Sequence, residues 1–145
     1  MHDLPRQLTL EQLAELFEGR TRLVERLAQR ENPLDEAETV IGELSEDEKM
    51  EALAAHPAIG ATSLSPASAA EQGVDTNPTV LAELASLNQV YEEKFGFRFV
   101  VFVNRRPKDE VLAVLRTRLE RDRDDELETG LRELVAIAKD RWVRR

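Results

Sequence analysis

The feature of this sequence that most constrains its fold is a recurring helix-start signal followed by apolar residues at helical spacing. Thr9 with Gln12 and Ser45 with Glu48 have the spacing of capping boxes, in which two side chains bond the backbone amides of the first turn. Ser65-Pro66 pairs an N-cap residue with proline at the first helical position. Apolar residues then recur every three or four positions, which is the period of one helix face. The pattern predicts an all-α protein.

These signals, with the residues that end helices, predict seven or eight helices in one domain covering residues 1–145. Gly19 is expected to end the first helix in the left-handed conformation, and Pro57 to end the fourth near His56. Residues 97–103 alone have strand character, and we expect them to form a buried extended or partly helical connector, because one strand cannot make a sheet. Helices are expected after caps at Thr9, Thr21, Ser45, Ser65 (ending by Gly73) and Asn77, and from about Leu34, Pro107 and Asp124.

Composition excludes several classes of function. The chain has no cysteine and two histidines, so thiolate chemistry and a three-histidine metal site are excluded, and we predict no metal. Its net charge of -9 would repel phosphate backbones, which argues against nucleic-acid binding. The longest apolar run has five residues against about 20 for a membrane span. Without a signal-peptide pattern at the start, we expect a cytoplasmic protein that binds no membrane.

Few residues remain as candidates for chemistry. His56 can change protonation near neutral pH, and its place at a helix exit should favour the cationic form. Ser68, Glu71 and Gln72 share one helix face, flanked by small residues that permit close approach to a polar ligand. Arg141 could anchor a carboxylate. On spacing alone each has a structural alternative: a histidine bonded to a carbonyl, a solvated short helix, and a solvated arginine.

Read in order, four segments resemble one family, 2-oxo-4-hydroxy-4-carboxy-5-ureidoimidazoline (OHCU) decarboxylase. The segments are Ala55-His56-Pro57-Ala58-Ile59-Gly60, Ser68-Ala69-Ala70-Glu71-Gln72, the stretch from Leu87 through Lys94-Phe95-Gly96-Phe97 to Val100, and a C-terminal pattern made of Val111 to Leu119 and Ile137 to Arg141. The resemblance covers about residues 10–142. It implies an all-helical, cofactor-independent enzyme, commonly a homodimer, that converts OHCU to (S)-allantoin in urate degradation.

The resemblance also assigns roles by position. His56 matches the catalytic proton donor and Glu71 its partner carboxylate. Substrate contacts are assigned to Pro57, Ser68, Gln72, the backbone of Phe99, Val100, Val101, Phe102 and Val103, and the side chain of Arg141.

The sequence departs from the family pattern in three places that bear on pocket shape. Thr21-Arg22-Leu23 stands where the family often has Ser-Pro-Trp, and Arg98 replaces the proline between the last two phenylalanines. The segment between His56 and Ser68 is shorter than in many relatives. Two other functions therefore stay open at this point. One is an acid–base enzyme acting on another ureide or hydantoin, and the other is a non-catalytic helical interaction module.

Overall fold

A computed structural model describes residues 7–57 and 78–144, and within these ranges the chain is all α-helical, with no β-strand. The predicted short helix from Ser65 to Gly73 lies outside the described residues. The described residues form seven helices: α1 (Leu10–Phe17), α2 (Arg22–Leu27), α3 (Ala37–Glu43), α4 (Glu46–Ala54), α5 (Pro78–Phe95), α6 (Lys108–Leu119) and α7 (Arg123–Val143).

Both predicted capping boxes are confirmed. The Thr9 hydroxyl accepts from the Gln12 amide at 3.1 Å, and the Gln12 side chain accepts from the Thr9 amide at 2.9 Å. Ser45 and Glu48 make the same reciprocal pair at 3.2 and 2.9 Å. Each pair satisfies two amides that a helix N-terminus otherwise leaves unbonded, which explains why α1 and α4 begin where the sequence predicts.

The long C-terminal helix α7 is the central element, because α1, α3 and α4 all pack against it. Its buried face carries Leu127, Leu131, Leu134 and Val135. Gly130 lets α4 come close, since a Cβ at this position would meet the Leu53 side chain at 3.3 Å. This contact fixes the end of α4, where His56 follows.

Helices α5 and α6 pack against each other, and an aromatic cluster lies where α5 leads into the connecting segment. The ring of Tyr91 lies 4.6 Å from Phe95 and 5.2 Å from Phe99, and Phe95 stacks on Phe97 at 5.8 Å. Residues 97–103 form neither helix nor strand and are mostly buried, as the sequence predicts for a core connector.

Two predicted helix boundaries, the end of α1 and the start of α3, were wrong. Glu18, not Gly19, adopts the left-handed conformation after α1, with φ of 61°. Gly19 is needed for space instead, because a Cβ there would lie 2.9 Å from Ala55 Cβ. Helix α3 begins at Ala37 rather than near Leu34, since the Glu36 carboxylate is drawn back to accept from the Asn32 amide.

No helix within the described ranges has both the length and the apolar character that crossing a bilayer requires.

Candidate active site

His56 lies two residues beyond the end of α4 and is almost fully buried, with 7% of its surface exposed. Its amide donates to the Leu53 carbonyl at 3.2 Å, so the backbone continues the last helical turn. Pro57 follows at once and is half-buried. The imidazole Nδ1 is buried and has no hydrogen-bond partner among the described residues. An unsatisfied ring nitrogen in the interior favours a functional over a purely structural histidine.

Glu18 supplies a carboxylate beside this imidazole. Its Oε2 lies 3.9 Å from His56 Nδ1, which is an electrostatic contact rather than a hydrogen bond. The close approach of Gly19 to Ala55 brings the end of α1 and the end of α4 together. The Glu18 side chain is 11% exposed, so its charge acts in a weakly screened environment.

Arg141 reaches the same carboxylate from α7. Its Nη2 lies 3.8 Å from Glu18 Oε1, and its Nη1 donates to the Leu16 carbonyl at 2.7 Å. The guanidinium therefore satisfies a terminal carbonyl of α1 and faces the Glu18 carboxylate at once. We call His56, Glu18 and Arg141 the buried triad, in which the two Glu18 oxygens face the histidine and the arginine.

Sequence reasoning missed Glu18. The sequence did contain a signal for it, because an acidic residue at a helix C-terminus faces the negative end of the helix dipole and destabilises the helix. Helix α1 has no basic residue in its last turn to offset this. A buried carboxylate kept in an unfavourable position is a candidate for function.

The environment of His56 lowers its pKa from 6.5 to about 4. Burial is the main cause and the Arg141 guanidinium adds to it, whereas the Glu18 carboxylate raises the pKa and the Arg98 guanidinium lowers it further. The imidazole is therefore neutral at pH 7. The prediction that the His56 imidazole favours its cationic form was wrong, because the effect of burial outweighs that of the helix dipole. The negative end of this helix is also occupied, since the Arg98 cation bonds the Ala54 and His56 carbonyls there.

This lowered pKa makes stability depend on pH. The unfolded chain binds a proton at His56 below pH 6.5, but the folded chain does so only below about pH 4. The free energy of unfolding should therefore fall by about 3 kcal/mol as the pH drops from 6.5 to 4, and this contribution is fully present above 6.5. Urea unfolding at several pH values measures it. Since carboxylates titrate in the same range, the informative quantity is the difference from His56→Gln, and equal pH slopes in both proteins would contradict the prediction.

The connecting segment that was predicted to bind substrate through its backbone is held by internal contacts. Arg118 donates to the Val100 carbonyl at 2.7 Å and lies 4.6 Å from the centre of the Phe99 ring. Glu133 accepts from the Phe102 amide at 3.3 Å, and Arg106 donates to the Phe102 and Val103 carbonyls.

Within the described part of the chain, the Phe102 amide is the one of this segment that donates a hydrogen bond, so the amides of Phe99, Val100, Val101 and Val103 are the candidates for contact with a ligand. Ser68, Glu71 and Gln72 lie outside the described residues, and their predicted roles stay predictions. Within residues 7–57 and 78–144, no three His, Asp or Glu side chains are arranged to hold a metal ion.

The chain is similar in sequence to one family of known proteins. A family model described as OHCU decarboxylase matches residues 2–143. Two proteins named 2-oxo-4-hydroxy-4-carboxy-5-ureidoimidazoline decarboxylase are each 31% identical to the chain. The one from Haloferax volcanii aligns over 72% of this chain and 66% of its own length, and the one from Halalkalicoccus jeotgali over 68% and 58%. The chain thus spans about two thirds or less of these relatives.

A solved structure described as OHCU decarboxylase in the presence of (S)-allantoin has the same fold. It superposes with a TM-score of 0.77, covering 92% of this chain and 96% of that one at 24% identity. A structure of (S)-allantoin synthase superposes with a TM-score of 0.69 at 23% identity. At these identities the likeness establishes the all-helical fold.

Proposed function

Because the chain belongs to the OHCU decarboxylase family, we propose that it decarboxylates 2-oxo-4-hydroxy-4-carboxy-5-ureidoimidazoline to (S)-allantoin in urate degradation. The observation that supports this most is the buried triad. It places one imidazole, one carboxylate and one guanidinium together in the interior, on residues contributed by three different helices or helix ends.

The reaction needs no cofactor in this proposal. Loss of CO2 leaves an electron pair on a carbon next to an imine-like ring system, and the ring itself accepts that pair. One proton must then be delivered to the ring for each CO2 released. The task of the protein is to hold the substrate and to deliver this proton to one face, which sets the chirality of the product.

His56 is the proposed proton donor, and because its imidazole is neutral at pH 7 it has to take up a proton before it can deliver one. The substrate is a carboxylate, so its entry adds a negative charge beside the imidazole and raises the His56 pKa. Substrate binding would in this way load the site with the proton that the reaction consumes. Glu18 stabilises the resulting imidazolium from one side, and Glu71 is the partner that the resemblance assigns.

Arg141 is proposed to hold the carbonyl or ureido oxygens of the substrate, together with free backbone amides of the connecting segment. A guanidinium presents paired donors in a plane, which suits such oxygens. Its bond to the Leu16 carbonyl fixes the side chain before substrate arrives. Binding to a pre-ordered group loses less conformational entropy.

The test is to generate OHCU in situ from urate, add the protein, and follow the circular dichroism of allantoin. We expect faster formation of the (S) enantiomer than in buffer, where OHCU also decays spontaneously. An unchanged rate without enantiomeric excess would reject the proposal. Acceleration confined to a related hydantoin or ureide in a parallel panel would also reject it, in favour of another acid–base enzyme.

We also propose that the protein is a cytoplasmic homodimer, as the family resemblance implies. Sedimentation equilibrium at micromolar concentration should give twice the 16.5 kDa mass of the chain. A single species at the monomer mass would contradict it.

A further inference from the structure

Arg98 is bonded to the backbone that carries His56. Its Nη1 donates to the His56 carbonyl at 2.7 Å and to the Ala54 carbonyl at 3.2 Å. These carbonyls lie at the C-terminal end of α4, where the helix leaves such groups without intrahelical partners. One guanidinium therefore bonds both the last residue of the helix and the histidine that follows it.

The Arg98 side chain is itself oriented. Its Nε lies 3.2 Å from Glu92 Oε1, on the last turns of α5, and the side chain is only 31% exposed. A continuous path of contacts thus runs from α5 through Glu92 and Arg98 to the backbone of His56. The arginine also stands where the family has proline, so the resemblance assigns it no role.

We propose that Arg98 is a positioning residue, which holds the His56 carbonyl so that the imidazole stays within the buried triad. The catalytic meaning of this inference rests on the proposed function. Among the described residues, the only other backbone hydrogen bond of His56 is the one that its amide donates to the Leu53 carbonyl at 3.2 Å. A displacement of about 1 Å in a catalytic group can lower a rate by up to 10²-fold, so loss of the hydrogen bond to the His56 carbonyl should lower the rate even though Arg98 does not touch the substrate.

The charge of Arg98 acts on the same imidazole. The charged groups that face His56 in the described chain are Glu18 from the end of α1, Arg141 from α7 and Arg98 from the connecting segment. Glu71, which the resemblance also assigns to this site, lies outside the described residues. Arg98 is the smallest of the causes that act on this pKa, after burial, Arg141 and Glu18, so removing its cation should raise the His56 pKa only slightly above about 4, and lysine, which keeps the charge, should change it less.

The test compares Arg98→Met with Arg98→Lys. We expect Arg98→Met to lower kcat for (S)-allantoin formation by about tenfold, with KM changed less than about threefold, because orientation rather than binding is lost. Arg98→Lys should recover part of the rate. An NMR titration of the imidazole signals gives the His56 pKa, and assignment is direct because the chain has only two histidines.

Arg30→Met is the matched control. Arg30 is equally buried, at 30% exposure, and ion-pairs with Glu36 and Glu43 at a site that includes no member of the buried triad. It should leave both kcat and the His56 pKa unchanged. If Arg98→Met does not fold, Glu92→Gln removes the carboxylate that orients Arg98 and should give a smaller change in the same direction.

Three results would overturn the proposal: wild-type kcat in Arg98→Met, an unchanged His56 pKa, or an equal loss of kcat in Arg30→Met. These are distinguishable from failure of the proposed function. If the wild-type protein does not accelerate OHCU decay, the function is rejected. The NMR titration still decides whether Arg98 controls His56.

Discussion

Replacing His56 with alanine should lower the rate of (S)-allantoin formation by about 10²- to 10⁴-fold, the range that one positioned acid–base group contributes. The same is expected of Glu71→Ala if the partner role assigned by the resemblance is correct. The measurement is the circular dichroism assay with OHCU generated in situ. The loss should be in kcat more than in KM, because proton delivery is needed in the transition state rather than for binding.

The chain offers a matched control for this prediction. His2 is its only other histidine, and His2→Ala should keep the wild-type rate. Thermal unfolding checks that the His56 variant is folded. Glu18→Gln removes the neighbouring charge but keeps the shape of the side chain, and should give a loss between those of His2→Ala and His56→Ala. Turnover like wild type in both His56→Ala and Glu71→Ala would reject the catalytic assignment.

The largest effect on stability is expected from Glu126→Ala, at about 3–5 kcal/mol. Glu126 is 0% exposed and accepts from Tyr91 Oη at 2.6 Å, Arg118 Nε at 2.8 Å and Arg121 Nη1 at 2.9 Å. Removing the carboxylate leaves the buried Arg118 cation without its counter-charge. Urea unfolding at pH 7 measures the loss.

Two variants show whether burial is the cause. Glu83→Ala breaks an exposed ion pair with Arg116, which should contribute at most about 1 kcal/mol. Tyr91→Phe removes one hydrogen bond to the buried carboxylate and should cost about 1.5–3 kcal/mol. A loss in Glu126→Ala no greater than that in Glu83→Ala would contradict the prediction. Because Arg118 also holds the Val100 carbonyl, Glu126→Ala should disturb the proposed substrate-binding segment as well.

The sequence by itself determined where most helices begin. Capping boxes at Thr9 and Ser45 and the apolar period within each helix are local, since every partner lies within four residues. The family motifs also pointed to His56 and Arg141 before any contact was known. Local signals were weaker where a side chain bonds a nearby backbone amide, as the Glu36 carboxylate does with Asn32. The predicted start of α3 was wrong at that point.

Only the tertiary structure decided the environment of His56. Glu18 and His56 are distant in sequence and meet because Gly19 permits a close approach to Ala55, while Arg98 and Arg141 reach their carbonyls across separations of 42 and 125 residues. The protonation state of the imidazole depends on how deeply packing buries it and which charges packing brings near. No pattern within one segment carries that information, because burial is a property of the assembled core.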